Sequence, residues 1–283
     1  GFGRQGLSRP GGISPSFQEG HVNRPVQGER NFSGHGSPEP PAVAPRPEVR
    51  GLRPGAHKVS DAEELQRVAP VIEAITERLD VVVSVDTSSP SVILEAARLG
   101  AGLINDVRAL QRAGALQAAA KTGLPVCLMH MLGTPQSMQA DVHYDDVLVQ
   151  VRQFLTERMF ACEMAGISKK NLVIDPGFGF GKHLEHNLAL LANLAYFCEL
   201  GVPVLAGVSR KSMIGQITGR DVDARVSGSA AAALLAAQNG AGIIRVHDVA
   251  ETKDVLSVLA AVKGATRKDH SIKAKPAIHW PDD

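Results

Sequence analysis

Polar side chains follow each of six short apolar runs in the sequence, at the point where each run ends. All of them can carry charge or form hydrogen bonds, and they are Asp86, Asn105, His130, Asp175, Ser209 to Lys211, and Arg245 with His247. If the runs are parallel strands closed into a barrel, their carboxyl ends meet at one mouth and the side chains can act on one ligand. Any single acid could instead cap the next helix, so the inference depends on all six ends together.

The stretch DPGFGFGK, which begins at Asp175, contains the glycines and lysine that are typical of phosphate loops. It does not match the Walker pattern, because Pro176 stands where the first glycine belongs and His183 where Ser or Thr belongs. A carboxylate can accept two N–H bonds from an amino-pyrimidinone edge, and Phe178 and Phe180 provide flat apolar surfaces. We therefore predict a site for a flat heterocycle anchored on Asp175. The alternative is an ordinary flexible βα loop with core phenylalanines.

Anion binding is predicted on the last two strands. Arg245 and His247 alternate in RVH, so on one strand they would point to the same side and clamp a phosphate. Lys211 in SRKS is predicted to end the neighbouring strand, where it adds charge or bonds a ring carbonyl.

The elements that position these side chains alternate between strand and helix. The strands are predicted in VVVSVD, AGLIND, PVCLMH, NLVID, PVLAGVS and GIIRVH, with helices between them. Continuous apolarity predicts strands buried on both faces, and therefore a parallel α/β sheet wrapped by helices. A capping box, Ser60 with Glu63, predicts the start of the first helix. No GxGxxG follows the first strand, which argues against a dinucleotide-binding fold.

Composition excludes several classes of protein. The chain has 283 residues, of which 44% are hydrophobic and 21% charged, with a net charge of +1, so one large core is possible and neither nucleic acid nor membrane partners are expected. The three cysteines show no metal-ligand spacing, which favours buried thiols in a reducing compartment. We find no signal peptide and no membrane-spanning run, so a cytoplasmic protein is expected.

The first fifty residues differ from the rest of the chain. They are rich in Gly, Pro, Ser and Arg and show no apolar period, which predicts irregular or disordered structure. We predict three regions: an irregular leader at 1–52, a βα-barrel domain at 53–265 and a C-terminal tail at 266–283.

Six motifs, taken in their order along the chain, support a resemblance to one enzyme family. They are SVDTSSP, INDVRAL, CLMHMLGTPQSMQ, DPGFGFGK, GVSRKSMIG and RVHDV. From about Arg53 to Lys263, the chain closely resembles dihydropteroate synthase of bacterial type. The resemblance implies a (β/α)8 TIM barrel of pterin-binding type. It implies condensation of p-aminobenzoate with 6-hydroxymethyl-7,8-dihydropterin diphosphate, giving dihydropteroate for folate biosynthesis and releasing diphosphate. It also implies Mg²⁺, inhibition by sulfonamides and a homodimer.

The same resemblance implies a role for each matching residue. Pterin would be bonded by Asp86, Asn105, Asp175 and Lys211, with Met129 and Phe180 near its ring. The diphosphate would be held by Arg245 and His247, which with Lys211 form the predicted catalytic set. Arg53 and Ser212 would lie near p-aminobenzoate, where sulfonamides compete. No metal-ligating residue is assigned.

The chain departs from the family pattern before Arg53. The opening strand with its NVTPDSFSDGG-like loop is not found, and only RPGA remains of the second motif. We therefore expect a barrel that is incomplete or aberrant over its first two strands, with an out-of-frame or unrelated leader. The alternative function is a catalytically dead, pterin-binding remnant. Another pterin-binding barrel, such as a methyltransferase domain, is disfavoured because SRKS and RPGA fit a diphosphate and p-aminobenzoate site.

Overall fold

The structure is a computed structural model that describes residues 59–133 and 142–265. The predicted leader with Arg53 and the predicted tail lie outside the described residues, so these domain boundaries stay predictions.

Six parallel strands occur in the described ranges, each followed by a helix. They are β1 Ser84–Asp86, β2 Leu103–Asp106, β3 Val126–Met129, β4 Leu172–Asp175, β5 Leu205–Ala206 and β6 Ile243–Ile244. Strands β1 to β4 pair in sequence order, and β5 pairs with β6. A parallel bridge between Ile174 and Val204 joins the two groups. The described chain is thus a run of six βα units, as the alternating pattern predicts.

The helices lie between the strands and after the last one. They are α1 Asp61–Thr76, α2 Pro90–Arg98, α3 Ala115–Thr122, α4 Val147–Met164, α5 Leu184–Ala192, α6 Ala195–Cys198, α7 Ser212–Thr218, α8 Val226–Gln238 and α9 Val249–Ala265. Two 3₁₀ turns, Lys169–Asn171 and Val222–Ala224, complete the set. In the part of the chain that the structure describes, no helix has the length and apolarity needed to cross a membrane.

Local sequence explains where several helices begin and end. Ser60 caps α1 as predicted, because its Oγ accepts the Glu63 N–H at 3.2 Å. Two helices, α5 and α6, lie between β4 and β5, although the apolar pattern of NLALLANLAYFCELG predicts one. The Asn193 side chain donates to the Ala189 carbonyl at 2.9 Å, and the Asn193 backbone leaves the helical region. Asparagine favours such local bonds over a continuous helix.

The core lies on both faces of the sheet. Outward side chains such as Ile104, Leu128 and Ile174 pack with the helices in the largest buried cluster. Inward side chains of Cys127, Val173 and Leu205 form a separate cluster inside the curve of the sheet. This double burial is the reason for the continuous apolar runs in the sequence.

Both outer strands have one edge without a partner among the described residues. Here β1 pairs only with β2, and β6 pairs only with β5. Side chains at these edges are accessible, since Val82 is 79% exposed and Ile243 is 37% exposed. The described six strands therefore leave two strand edges unpaired. The predicted absence of the first two strands concerns residues outside the described ranges and stays a prediction.

Candidate active site at the strand ends

Four of the predicted residues share the inner side of the sheet at its carboxyl end. The strand register places Asp86 beside Asn105 and Met129 beside Asp175. Asn105 is also in register with Cys127, whose side chain belongs to the inner cluster. The predicted convergence of distant side chains on one mouth is therefore confirmed for these four.

Asp175 is the buried centre of this mouth, with only 1% of its surface exposed. Its Oδ1 accepts the Gly177 N–H at 2.7 Å, and its Oδ2 accepts an Arg245 N–H at 3.0 Å. A second Arg245 N–H lies 3.3 Å from the Asn105 Oδ1. The flat guanidinium thus occupies acceptors that an amino-pyrimidinone edge would use.

Asn105 presents an unused donor to the same space. The residue is 3% exposed. Its Nδ2 has no partner at good hydrogen-bond geometry among the described residues, although it lies close enough to the Asp86 carboxylate to lower the pKa of that group. A buried donor left unpaired costs about 1–3 kcal/mol. Such a group in a polar mouth is accounted for by a ligand that brings an acceptor.

Lys211 contacts the DPGFGFGK loop, although it does not end a strand as predicted. It precedes α7 as its N-cap residue, because β5 ends at Ala206. Its ammonium donates to the Phe178 carbonyl and lies 4.4 Å from the centre of the Phe180 ring. Burial lowers the pKa of Lys211 to about 8, against the opposing effect of Asp175.

A small network outside the mouth fixes the backbone around Lys211. Arg210 adopts a left-handed φ of 57° and pairs through its Nε with Asp248 at 3.0 Å. Arg225 donates to the Arg210 carbonyl at 3.0 Å and to the Lys211 carbonyl at 3.4 Å. These contacts aim the Lys211 side chain at the DPGFGFGK loop.

The DPGFGFGK loop divides its two phenylalanines between core and site. Phe178 is fully buried in the main core, whereas Phe180 is partly exposed beneath Lys211. Phe178 is therefore a core phenylalanine, as the alternative interpretation has it, whereas Phe180 is placed as the heterocycle site requires. Hydrogen bonds with Asp175 and Lys182 hold the loop backbone, which argues against a simple flexible loop.

Three amides of this loop already have partners, so they are not available to a phosphate. The Gly177 N–H donates to Asp175 and the Phe180 N–H donates to the Gly177 carbonyl at 3.2 Å. The Gly179 N–H donates to the Asn187 Oδ1 at 2.7 Å. Gly177 has a φ of +75°, and a Cβ there would lie 1.8 Å from the His130 carbonyl oxygen, so only glycine fits.

His130 does not face the mouth, which corrects its place among the convergent strand ends. Its neighbour Met129 faces inward, and successive strand residues point to opposite sides. The His130 ring is 4.9 Å from the Phe154 ring, edge-on, and its Nδ1 is 2.9 Å from the Lys182 Nζ. Burial, reinforced by the Lys182 charge, lowers the pKa of His130 to about 2, so the ring is neutral.

Arg245 and His247 do not share a strand, which corrects the predicted common clamp. Strand β6 ends at Ile244, since it has only two residues in the ladder. Arg245 turns into the mouth, whereas the His247 Nδ1 lies 3.0 Å from the Ser209 Oγ. Their role in holding diphosphate stays a prediction.

Of the remaining predicted residues, only Ser212 and Asp86 lie in the described ranges. Ser212 is exposed as the first residue of α7, and Arg53 lies outside the described residues. Desolvation raises the pKa of Asp86 to about 6. Because Asp86 is exposed along the open edge of β1, water there reduces this rise.

Comparison with known proteins decides the family. A family model for pterin binding enzymes matches residues 49–247. The dihydropteroate synthase of Escherichia coli K12 is 56% identical over 213 residues, which cover 75% of this chain and 76% of that protein. The chain belongs to the dihydropteroate synthase family. Nothing in these comparisons favours the dead-remnant interpretation over the enzyme.

Solved structures of dihydropteroate synthases share the fold. The Yersinia pestis enzyme in complex with a sulfonamide drug aligns with a TM-score of 0.75 at 52% identity, over 76% of this chain and 78% of that one. The Xanthomonas albilineans enzyme with 4-aminobenzoic acid aligns with a TM-score of 0.72 at 55% identity, over 76% and 77%. The predicted TIM-barrel class is confirmed, and the family consists of transferases of folate biosynthesis.

Sequence reasoning missed the residues that support this dihydropteroate synthase mouth. Lys182 and Asn187 bond the loop, and the Tyr144 hydroxyl donates to the Gly181 carbonyl at 2.9 Å. Lys182 stands inside the quoted motif and could have been singled out as a charge next to a buried strand. Asn187 and Tyr144 carry no local signal, since only the tertiary fold brings them to the loop.

Proposed function

We propose that this chain condenses p-aminobenzoate with 6-hydroxymethyl-7,8-dihydropterin diphosphate to give dihydropteroate and diphosphate. The observation that carries the proposal is the buried face made by Asp175 and Asn105, with cationic Lys211 and Arg245 beside it. This face offers a carboxylate, an amide with an unused donor, and two cations within one mouth. Together they match a flat amino-pyrimidinone that carries an anionic leaving group.

In this proposal each side chain has one task toward the pterin. The Asp175 carboxylate accepts the ring N–H and the exocyclic amine, and the Asn105 Nδ2 donates to a ring nitrogen. Lys211 donates to the ring carbonyl, while Phe180 and Met129 provide apolar contacts. The Arg245 guanidinium leaves Asp175 when the pterin enters, which places its charge toward the diphosphate.

The reaction needs charge stabilisation more than a base. The C–O bond to diphosphate breaks first, and Arg245 with His247 stabilises the leaving anion. The amine of p-aminobenzoate then attacks the cationic methylene carbon, and the nitrogen gives its extra proton to solvent or to the departing diphosphate. Rate enhancement would come from electrostatic stabilisation and from the placement of the two rings.

We place p-aminobenzoate at the outer rim, near Ser212 and Arg53, where sulfonamides would compete. Ser212 is exposed next to Lys211, so a second ring could lie against the first from this side. Relatives solved with a sulfonamide drug and with 4-aminobenzoic acid support this proposal.

Magnesium is proposed to enter with the diphosphate. Within the described ranges, no group of three or more His, Cys, Asp and Glu side chains could hold a metal. Mg²⁺ commonly uses one or two carboxylates together with substrate phosphates. When bound, it would neutralise charge on the leaving diphosphate, and the steps above are assigned to the residues alone.

We further propose a homodimer in the cytoplasm. Val258 and Val262, one turn apart on α9, are 65% and 57% exposed, which supports pairing through the late helices. The free thiols of Cys127, Cys162 and Cys198 support a reducing compartment.

Turnover by the purified chain tests the proposal. Labelled p-aminobenzoate, pterin diphosphate and Mg²⁺ are expected to give labelled dihydropteroate, and Asp175→Ala is expected to abolish the product. That variant also identifies contaminating host enzyme, whose activity would not depend on Asp175. Product that is equal in both samples, or absent from both, would contradict the proposed function and favour the dead remnant.

A further inference from the structure

Lys182 is a buried cation that the proposed reaction does not use. Only 4% of the residue is exposed. Its Nζ lies 2.9 Å from the His130 Nδ1, 3.0 Å from the Gly177 carbonyl and 3.1 Å from the Phe180 carbonyl. An ammonium has three N–H donors, so these three acceptors match its protonated form one for one.

Burying this charge has a cost that the contacts must offset. Desolvation lowers the pKa of Lys182 to about 7, with Asp175 opposing the fall and Lys211 adding to it. A methionine of similar length would avoid that cost at a purely structural position. The charge is therefore better explained by what its three donors hold together.

Two of the three acceptors belong to the loop that shapes the mouth. The Gly177 carbonyl lies at the start of the loop, where the Gly177 N–H bonds Asp175. The Phe180 carbonyl lies near its end, directly before Gly181. Three glycines of the loop, Gly177, Gly179 and Gly181, have φ between +60° and +77°. Such glycine-rich backbone has many alternatives in solution, and Lys182 joins its beginning to its end.

The third acceptor joins the loop to the neighbouring strand. His130 follows β3, and its neutral ring accepts at Nδ1 and therefore carries its proton on Nε2. Its edge-on contact with Phe154 on α4 fixes the ring. Lys182 thus links the residue after β3 to the loop that follows β4.

We propose that Lys182 is a positioning residue, which holds the loop so that Asp175 and Phe180 are preformed for the flat ring of the pterin. His130 acts with it by supplying the acceptor that orients the ammonium. The identity of the ligand rests on the proposed function, whereas the fixing of the loop does not.

Two measurements on the full chain test this role. Lys182→Met removes all three donors, and Lys169→Met is the control, since Lys169 is exposed at the opposite end of β4. Relative to that control, we expect amide hydrogen exchange across residues 175–183 to be at least about tenfold faster. The Kd of 7,8-dihydropteroate is expected to rise at least about tenfold, which corresponds to about 1.4 kcal/mol.

A matched pair of variants separates positioning from stability. His130→Asn keeps an acceptor near the place of Nδ1, whereas His130→Leu has the same shape without it. The account predicts that His130→Asn binds dihydropteroate within about threefold of wild type and His130→Leu at least about tenfold more weakly. Stability alone would rank them in the other order, because leucine suits the buried position better.

Each outcome decides the inference. Unchanged loop exchange or unchanged dihydropteroate affinity in Lys182→Met overturns it, and so does equal weakening in the two His130 variants. If wild type binds no dihydropteroate, the proposed function fails instead. Loop exchange in Lys182→Met then still decides whether Lys182 fixes the loop.

Discussion

At the residue scale, Asn105 and Asn187 are two buried amides with opposite hydrogen-bond states. Asn105 is bonded at good geometry through Oδ1 only, and its Nδ2 has no such partner among the described residues. Asn187 accepts from Gly179 and donates to the carbonyls of Lys182 and His183. An unpaired donor fits a binding role, whereas a satisfied amide fits a structural one.

The substitution of each asparagine by leucine is predicted to separate these roles. Asn105→Leu is expected to lower the free energy of unfolding less than Asn187→Leu does, because it removes one long bond from Arg245 together with a donor that has no partner at good geometry. Dihydropteroate affinity should fall at least about tenfold, since one bond to the ligand is lost. Asn187→Leu should instead lower the free energy of unfolding by about 1–3 kcal/mol. Urea unfolding and ligand titration measure both quantities, and similar losses of stability in the two variants would contradict this assignment.

Lys211 predicts how activity changes with pH. Its pKa is lowered to about 8 by burial, so its positive charge is complete below pH 7 and is lost as pH rises through 8. We expect kcat/KM for the pterin substrate to fall above pH 8 with a slope approaching one. Lys211→Arg keeps the charge at high pH and should remove this fall, whatever its activity.

Stability is expected to change in the opposite direction over the same range. Between pH 8 and the ordinary lysine pKa, the unfolded chain holds a proton that folded Lys211 has lost. Stability therefore rises with pH across that window. Activity that rises above pH 8 in wild type, or a fall near pH 8 that is the same in wild type and in Lys211→Arg, would contradict the role of this ammonium. A fall nearer pH 7 would instead report Lys182, whose pKa is about 7.

At the element scale, the sequence predicts strands better than it predicts the ends of the last two. Strands β1, β2 and β4 end on polar residues, at Asp86, Asp106 and Asp175, and β3 ends at Met129, directly before His130. The residues of β2 to β4 are buried on both faces, with only Leu103 partly exposed, and this double burial produces the continuous apolar runs in the sequence. Strands β5 and β6 stop earlier, so Lys211 follows β5 as the N-cap residue of α7, and Arg245 reaches the mouth from just beyond β6.

The helix-level differences have a similar cause. Caps such as Ser60 act within one turn of chain and can be predicted from the sequence. The break at Asn193 depends on one side chain that competes with the helix. The supports around Lys211 depend on partners distant in sequence, such as the pair between Arg210 and Asp248. No local pattern identifies contacts of that kind.

At the scale of the whole molecule, the mouth is built where six strands end, while two strand edges lack a partner among the described residues. The family motifs could be placed in the mouth from sequence, because each follows an apolar run. The side-chain pairs could not be predicted from the sequence. Arg245, which follows β6, bonds Asp175 on β4 and Asn105 on β2, and these residues are distant in the chain. The proposed pterin site depends on these contacts between side chains from different strands rather than on any one strand.

Titration calorimetry of 7,8-dihydropteroate with the wild-type chain and with Asp175→Asn tests the central claim most directly. Asp175→Asn keeps the shape of the side chain but removes the charge that would accept two ligand N–H bonds. Hydrogen bonds to a charged group contribute about 1.5–3 kcal/mol each, so affinity should fall at least about 100-fold, while Asp80→Asn, an exposed control, binds as wild type does. Equal affinity in wild type and Asp175→Asn would contradict the claim that this carboxylate anchors the pterin.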